Sequence, residues 1–531
     1  MRKLKKYIRW ERACICLLAA ALAASAVTGC AGGKSGKTTE IKPGADFSYP
    51  IETDEKLQYW YVDYTAGKVK REEAPLYQEV AARTGVEVSY IPVTPSVAQE
   101  QFNLLLASGS IPEMVMYNWM SLPGGAQSAV DGGHILKLND LIEDYMPNLK
   151  AYLEADKSRD KQAKNDEGNY CFVPAFRGDP ELLTYTGPII RKDWLDDLGM
   201  EVPETLDEWY AALKAFKDKK GAAAPFVCDS AYLTMFISGA YPVSMGGNSD
   251  DCYLDQGRVV YGPVQPAFKE AVRVLHRWYQ EGLIDPNIAS VDSNTINSKM
   301  TGGQSGASIG LAGGALGKWL LNMRDTDPGY QLVGTKYPVV NKGDVPYLGQ
   351  LDSTMMNNCQ GISAKAKNPA LVARYLDFFF SPEWIKLYNY GKEGVAYDTV
   401  DGKPVFKEEI LNSGDISKYA DFNGGLGVQQ WGAYSQNLIF DSQREAIESW
   451  RYSDGEQHLM PPVTFSAEES AQVTKLLSDI KTYQSEMFFK FVFGVEDIET
   501  GFDSYVSQIK SMGIDQVLAC KQTAYERYNN R

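Results

Sequence analysis

The sequence predicts an α/β fold with a parallel sheet. Between residues 57 and 118, short apolar segments of strand length alternate with segments of helical periodicity. Strands that alternate with helices run parallel, because each crossover helix carries the chain back to the same edge of the sheet. Hydrophobic residues make up 44% of the 531 residues and charged residues 23%, which is typical of a globular protein and excludes a disordered or fibrous one. At this length, two to four domains or two large lobes are expected.

The first elements follow one another in a regular order. We predict three strands and two helices, in the order strand 57–62, helix 75–83, strand 86–92, helix 97–107 and strand 113–117. A parallel α/β sheet offers ligands the crevice beyond the carboxyl ends of its strands. The candidate ligand contacts just past those ends are Asp63, Tyr64, Asn118 and Trp119.

Later helices are indicated by their caps. Thr205 and Glu208 form a capping box, and apolar residues then repeat at helical spacing until Gly221. The prolines that follow Asn368 and Ser381 indicate the first turns of two more helices. Beyond them we predict a long amphipathic helix at residues 466–493 and two shorter helices near 502–512 and 515–528.

The first 29 residues have the features of an export signal. Six basic residues and one acid precede an apolar run at residues 13–27, which is shorter than the ~20 residues that span a bilayer. The run ends in Val27-Thr28-Gly29-Cys30, which resembles the lipobox of bacterial lipoproteins, whose cysteine carries a diacylglycerol thioether. We predict a lipoprotein signal peptide at 1–29, lipidation at Cys30 and a flexible tether at 30–53. The alternative is an ordinary secretory peptide that happens to contain a cysteine.

The charge balance excludes one class of partner. Lys and Arg number 53 against 68 for Asp and Glu, so the formal net charge is −15. Removing the +5 of residues 1–29 leaves −20 for residues 30–531. Binding along a phosphate backbone needs a dense cationic face, so we predict no nucleic-acid partner.

Cysteine spacing indicates no disulfide framework. With Cys14 and Cys16 in the export signal and Cys30 lipidated, five cysteines remain, an odd number at irregular spacing. We expect mostly buried free thiols, while one bridge between Cys228 and Cys252 stays open.

Catalytic motifs are weak throughout the chain. The three histidines, His134, His276 and His458, lie far apart and lack metal-ligand spacing. The stretch at 303–307 is one residue short of a G-x-S-x-G nucleophile elbow and follows no apolar strand. We therefore predict that the chain is not an enzyme, although a pair of glycosidase carboxylates stays possible in a sequence so rich in acids.

Motifs over roughly 470 residues resemble those of one family. They are Leu104-Leu105-Leu106-Ala107-Ser108-Gly109-Ser110-Ile111-Pro112-Glu113, Leu138-Asn139-Asp140-Leu141-Ile142, Ile190-Arg191-Lys192-Asp193-Trp194-Leu195, Glu281-Gly282-Leu283-Ile284-Asp285, Asn389-Tyr390-Gly391-Lys392-Glu393-Gly394 and Ala524-Tyr525-Glu526-Arg527-Tyr528. The number and order of these motifs resemble those of the family 1 extracellular solute-binding proteins. These are lipid-anchored receptors that feed sugars to bacterial ABC importers. It departs from the family at Ser110, where an acid is common.

The resemblance implies a two-lobed, periplasmic-binding-protein-like type II fold with a hinge. The first lobe is expected at 54–175 plus 336–395, and the second at 176–335 plus 396–531, with the C-terminal helices bracing the hinge. The implied function is capture of a carbohydrate, in particular an oligosaccharide, for an ABC transporter permease. The receptor would be a monomer outside the cytoplasm, attached to the cell membrane only by its lipid. The alternatives are a receptor for a peptide or other small solute, and a lipid-anchored polysaccharide-degrading enzyme.

Aromatic residues, at 12% of the chain, suit a carbohydrate ligand. The apolar C–H face of a pyranose stacks on Trp or Tyr, and its hydroxyls need polar partners. Candidates follow strands, flank the expected lobe crossings or lie in Gly-rich and polar loops, and the full set is Asp63, Tyr64, Tyr117, Asn118, Trp119, Arg177, Tyr185, Gly313, Asp352, Trp431 and Tyr434. We expect Trp119→Ala to weaken binding at least tenfold, or ~1.4 kcal/mol, with the fold intact.

No cofactor is predicted, with one cation site left open. Some members of the family bind calcium in an acidic, Asn-rich loop of the first lobe. Here Asp160, Asn165 and Asp166 offer the hard oxygen ligands that calcium prefers. Lysines and an arginine lie between and beside them, which favours a solvated charged hairpin instead.

Overall fold

The computed structural model describes residues 38–531, except residues 45, 66, 247–249, 415 and 422–424. Cys30, the predicted signal peptide and the start of the predicted tether lie outside the described residues. Within the described ranges, no helix has both the length and the apolar composition needed to cross a membrane.

Helices and strands alternate over residues 56–117, as predicted, and runs of several helices separate the later strands. The strands are Lys56–Val62, Glu87–Val93, Met114–Tyr117, Phe176–Arg177, Thr186–Arg191, Cys252–Asp255, Arg258–Tyr261, Ala307–Leu311, Leu332–Gly334, Cys359–Ile362, Tyr397–Val400, Lys403–Phe406 and Val428–Gln429. The α-helices are Pro75–Thr84, Ala98–Ser108, Gly125–Asp131, Asn139–Tyr145, Pro147–Glu154, Lys157–Ala163, Lys192–Leu198, Leu206–Lys220, Ser230–Ile237, Pro266–Gln280, Ser293–Thr301, Lys318–Met323, Pro369–Asp377, Pro382–Tyr390, Glu408–Asn412, Trp431–Asn437, Asp441–Arg451, Gly455–His458, Ala467–Phe493, Ile498–Ser511 and Ile514–Asn529.

The first sheet has four strands. Its three N-terminal strands pair in parallel, with Lys56–Val62 between Glu87–Val93 and Met114–Tyr117, so the predicted parallel arrangement is confirmed. A fourth strand, Cys359–Ile362, pairs antiparallel with Met114–Tyr117. Around this sheet, one buried core collects side chains from residues 51–176, 355–388 and 426–428, and we call these residues the first lobe.

The second lobe is built on a smaller antiparallel sheet. Thr186–Arg191 lies between Ala307–Leu311 and Leu332–Gly334. A separate buried core collects side chains from residues 189–337 and 438–517, which we call the second lobe. The long helix Ala467–Phe493 begins at a capping box of Ser466 with Glu469 and ends before Gly494, and it packs on this core.

Lobe boundaries differ from the expected ones. The first lobe was expected to resume at residue 336, but Tyr337 is buried in the second core, and its hydroxyl donates to the carbonyl of Thr186 at 2.8 Å. Residues up to 351 continue on the second lobe, where the amide of Leu348 bonds to Ser238. Conversely, Asp421, Leu426 and Val428 pack on the first lobe: Asp421 pairs with Arg71 at 3.3 Å, and the other two lie in the first core. These assignments depend on long-range hydrogen bonds and ion pairs that leave no local pattern.

Helix Ile514–Asn529 connects the two lobes near its C-terminal end. Arg527 donates to Asp166 of the first lobe at 2.7 Å and to Glu469 of the second lobe at 2.6 Å. Arg531 donates to the other oxygen of Asp166 at 2.8 Å. One carboxylate of the first lobe is therefore held by two guanidinium groups carried by the second.

The mature cysteines in the described chain are free thiols. Cys171, Cys228, Cys252 and Cys359 are buried, and Cys520 is half-buried. Cys228 and Cys252 do not form a bridge, so the one pairing left open by the sequence is absent here. Burial raises the pKa of the Cys252 thiol to about 12, which keeps it protonated and unreactive.

Gly187 allows the second sheet to contact a tryptophan. The Trp450 indole lies directly over it and donates to the carbonyl of Pro188 at 3.0 Å, so a Cβ at residue 187 would overlap the ring. We expect Gly187→Ala to lower the free energy of unfolding by about 1–3 kcal/mol, the usual cost of overpacking. The measurement is urea unfolding, with Gly313→Ala as control, because no atom lies within 4 Å of a Cβ there. Equal stability of the two variants would contradict the prediction.

Candidate ligand-binding cleft

Two cavities lie where the lobes meet, and Arg177 borders both. Chamber A, of about 450 Å³, is bordered by Asn118, Met120, Arg177, Met245, Asp250, Leu351, Asp352, Met355, Leu459, Lys481 and Lys521, among others. Chamber B, of about 400 Å³, is bordered by Arg177, Glu181, Tyr185, Leu311, Gly313, Gln429 and Tyr434, among others. Each wall draws residues from both lobes.

Three predicted site residues meet between the chambers. Arg177 donates to the Asp352 carboxylate at 2.9 Å and to the carbonyl of Ser353 at 3.2 Å. The Tyr185 hydroxyl donates to the same Asp352 oxygen at 2.8 Å. They come together because two crossing segments run side by side, joined by the Gln350 side chain, which accepts from the amide of Tyr185 at 2.7 Å.

Burial and a neighbouring charge keep the Tyr185 hydroxyl of this cluster protonated. Burial, followed by the neighbouring Asp352 carboxylate, raises the pKa of Tyr185 well above its usual value. Its hydroxyl therefore stays protonated and acts as a donor. The cluster offers a guanidinium, a carboxylate and a phenol within hydrogen-bonding distance of one another, a combination that can both donate to and accept from ligand hydroxyls.

Chamber A also contains a charged group that sequence reasoning missed. Lys521 contacts Asp250 at 3.3 Å, and Lys481 forms an ion pair with the same carboxylate. Burial alone would raise the pKa of Asp250, but the two ammonium groups lower it below its usual value. The two lysines lie on C-terminal helices more than 230 positions after Asp250, and no motif indicates that they meet.

Asn118 is a predicted site residue whose side-chain oxygen could accept a hydrogen bond from a ligand. It lies on the wall of chamber A, and its buried side-chain oxygen finds no hydrogen-bond partner among the described residues. A buried acceptor without a donor is costly. A ligand hydroxyl in chamber A would supply that donor.

Chamber B contains the aromatic side chains. Tyr185 and Tyr434 border it together with Gly313, where the absence of a side chain leaves the backbone accessible. Trp431 does not border the chamber, in contrast to our expectation. It lies one turn before Tyr434, with ring centroids 6.0 Å apart, and its amide donates to Asp179 at 2.6 Å, so it supports the helix that carries Tyr434.

Tyr117 and Trp119 pack in the first core instead of facing the cleft. Trp119 is 0% exposed, and its indole donates to the carbonyls of Val115 and Cys359 at 3.3 and 3.1 Å. The Tyr117 ring stacks on Phe102 with centroids 3.6 Å apart. After the strand, a short 3-10 turn directs Trp119 back against the sheet, which leaves its neighbours on the chamber wall.

Asp63 and Tyr64 also lie apart from both chambers. The Asp63 carboxylate accepts from the amides of Thr65 and Gly67 at 2.8 and 2.9 Å, so it stabilises its own turn. Burial would raise the pKa of Asp63, but these donors lower it. The Tyr64 hydroxyl accepts from Asn358 at 2.7 Å.

The candidate calcium ligands are bonded to protein donors. Asp160 accepts from Lys164 at 2.7 Å and also from the Tyr170 hydroxyl. The Asn165 side-chain oxygen accepts two backbone amides, and Asp166 is held by the two arginines described above. Across the described ranges, no group of three or more His, Cys, Asp or Glu side chains is arranged to hold a metal ion.

Known proteins of similar sequence bind carbohydrates. The chain is 22% identical to the fructooligosaccharide ABC transporter substrate-binding protein FusA of Streptococcus pneumoniae, over 91% of this chain and 92% of that protein. It is 24% identical to the polygalacturonan/rhamnogalacturonan-binding protein YtcQ of Bacillus subtilis, over 85% of this chain and 88% of that protein.

Solved structures support the same assignment. The alginate-binding protein AlgQ2, solved without calcium ion, matches with a TM-score of 0.74 and 28% identity, covering 90% of this chain and all of that one. The predicted two-lobed α/β fold class is therefore confirmed. A family model described as bacterial extracellular solute-binding protein matches residues 67–386, more than half of the sequence. This chain belongs to the bacterial extracellular solute-binding protein family.

Proposed function

We propose that this chain captures an oligosaccharide between its lobes and delivers it to an ABC importer. The observation that carries the proposal is the Arg177, Asp352 and Tyr185 cluster, which borders two chambers lined from both lobes. The carbohydrate-binding relatives support the ligand class. A ligand that reaches both chambers contacts the cluster at its middle.

The chemistry of the chambers suits a sugar chain. Hydroxyl groups need partners such as Arg177, Asp352 and Asn118, and C–H faces can stack on Tyr185 and Tyr434. Binding of this kind requires no cofactor and changes no covalent bond. Because the contacts come from both lobes, the ligand binds a closed form more tightly than an open one and shifts the population towards it.

Helix Ile514–Asn529 is a suitable pivot for this closure. Arg527 on this helix and Arg531 just beyond its end hold Asp166 of the first lobe, and charge-assisted bonds of this kind are strong and directional. We propose that these bonds persist while the lobes rotate, so that the second lobe turns about a fixed contact.

Attachment to the membrane is part of the proposal. A diacylglycerol on Cys30 would anchor the monomer outside the cell, since two acyl chains are sufficient for stable anchoring. A flexible tether then keeps the receptor close to its permease and raises the effective concentration for docking.

The proposal is tested by a melting screen of the soluble chain against plant and microbial oligosaccharides, with peptides in parallel. A bound oligosaccharide at a hundred times its Kd should stabilise the fold by about 2.7 kcal/mol, and chromatography should recover it intact. A response to peptides alone would favour a peptide receptor. A cleaved oligosaccharide would identify a polysaccharide-degrading enzyme.

A further inference from the structure

The wall of chamber A carries more positive than negative charge. Among the residues that the structure describes, its charged side chains are Arg177, Asp250, Asp352, Lys481 and Lys521. Arg177 and Asp352 pair with each other at 2.9 Å. The two lysines then share the one remaining carboxylate, Asp250. Three cations against two acids leave a net charge of +1 at this wall.

Lys521 is the more buried of the two lysines. It borders chamber A but is only 6% exposed. Its ammonium donates to Asp250 at 3.3 Å, which is longer than the about 2.7–2.9 Å of a good charge-assisted bond. No second hydrogen bond of this ammonium is made to the described part of the chain, although an ammonium has three donors. Because a buried charge with few partners is costly, an acceptor in the chamber would lower that cost.

Asp250 cannot neutralise both lysines. Its carboxylate carries one negative charge, and Lys481 bonds to the oxygen that Lys521 does not contact. Asp251 also lies near Lys481, but it does not border chamber A. Burial raises the pKa of Asp251, which disfavours its charged form. A carboxylate that enters the chamber would therefore meet uncompensated positive charge.

This positive charge belongs to chamber A and not to chamber B. The charged side chains that border chamber B, within the described ranges, are Arg177 and Glu181. Glu181 also pairs with Arg451 at 3.4 Å. The chain as a whole is acidic, so an anionic ligand gains nothing from the average charge of the protein. Its attraction to the cleft depends on the two lysines of chamber A.

We propose that chamber A binds the carboxylate of a uronate unit of the captured oligosaccharide. Lys481 and Lys521 donate to this carboxylate, and Asn118 on the same chamber wall accepts from a ring hydroxyl. The inference rests on the proposed function, because the uronate is part of the same ligand. It narrows the ligand from oligosaccharides in general to those that carry an acidic sugar.

The test compares matched pairs of oligosaccharides by calorimetric titration of the mature chain. Each pair consists of a uronate chain and the same chain after its carboxylates are reduced to primary alcohols, which removes the charge and keeps the ring. Pairs from several uronate classes are titrated. At least one uronate chain should bind tenfold more tightly than its reduced partner. Equal or tighter binding of every reduced chain would overturn the inference.

Substitutions in chamber A should change uronate binding in opposite directions. Lys481→Met and Lys521→Met keep a long side chain but remove its charge, so each should weaken binding about tenfold. Asp250→Asn removes the competing carboxylate and should strengthen binding severalfold. Asn fits at this position because the φ of 54° lies in the left-handed region that Asn tolerates. Unchanged affinity in all three variants would overturn the inference.

One variant and one control make the test independent of folding and of overall charge. The Lys481 side chain is 45% exposed, so Lys481→Met decides the matter if Lys521→Met does not fold. Lys475→Met is the matched control, because Lys475 is an exposed residue of the same helix, Ala467–Phe493, and borders neither chamber. It should bind uronate chains as the unmodified protein does. An equal loss in Lys475→Met and Lys481→Met would overturn the inference.

The outcome also separates this inference from the proposed function. Binding of neutral oligosaccharides alone would overturn the uronate site and leave the proposed function standing. No binding to any oligosaccharide would overturn both.

Discussion

Arg177→Met should weaken oligosaccharide binding at least about a hundredfold, ~2.7 kcal/mol, the largest loss in affinity expected from one substitution. Arg177 borders both chambers, so its removal affects contacts along the whole ligand. It also deprives Asp352 of its cationic partner, and leaving a half-buried charge unpaired costs about 2–5 kcal/mol. Tyr185 alone cannot replace a guanidinium that donates to two oxygens.

Calorimetric titration with the best hit of the screen measures this effect. Arg177→Lys keeps the charge but loses the planar fork of donors, so it should fall between the Met variant and the unmodified chain. Arg83→Met is the matched control, because Arg83 pairs with Glu79 on a first-lobe helix that borders neither chamber. Full affinity in Arg177→Met would remove this residue from the site.

Trp119→Ala should lower the free energy of unfolding by about 3–5 kcal/mol, the usual cost of replacing a buried large aromatic side chain by alanine. The ring contacts Phe102 edge-to-face at 5.1 Å and lies over Gly361 of the neighbouring strand. The substitution leaves a large cavity there and two carbonyls without their indole donor.

Urea unfolding of the ligand-free chain measures this loss. Trp431→Ala should cost less, because Trp431 is only half-buried. Ligand affinity of Trp119→Ala, measured where the variant is still folded, should stay close to that of the unmodified chain. Normal stability with weakened binding would instead restore our sequence-based expectation that Trp119 stacks on the ligand.

Local signals predicted those helices and strands that have clear caps, glycine stops or apolar periodicity. The helices predicted at 75–83 and 97–107 are Pro75–Thr84 and Ala98–Ser108, and each ends at a glycine with positive φ. The capping box of Thr205 and Glu208 is present. Caps and glycine stops act over a few residues, so they can be recognised without knowledge of the fold.

Contacts between distant segments could not be predicted. Strand Cys359–Ile362 completes the first sheet more than 240 positions after its partner, and the pairing of Lys481 and Lys521 with Asp250 spans a similar separation. Each depends on the folded arrangement of both lobes, and its residues look like ordinary strand or surface residues in the sequence.

For the candidate site, too, the sequence indicated the segments involved better than the direction of individual side chains. The expected lobe crossing selected Arg177 and Tyr185, and polar, turn-like surroundings selected Asp352. These three residues do meet in the structure. Of the two residues selected beyond the third strand, Asn118 borders chamber A while Trp119 is buried. A shift of one position reverses the direction of a side chain near a strand end, and composition cannot decide it.

The state of the cysteines makes the chain suitable for fluorescence labelling. Among the described residues, Cys520 is the one thiol that is not fully buried, so a maleimide dye would react there in a soluble chain lacking residues 1–37. Cys520 lies two turns before Arg527 on the helix that joins the lobes. A dye at this position would test in real time whether the lobes rotate as proposed when ligand is added, without any engineered attachment point.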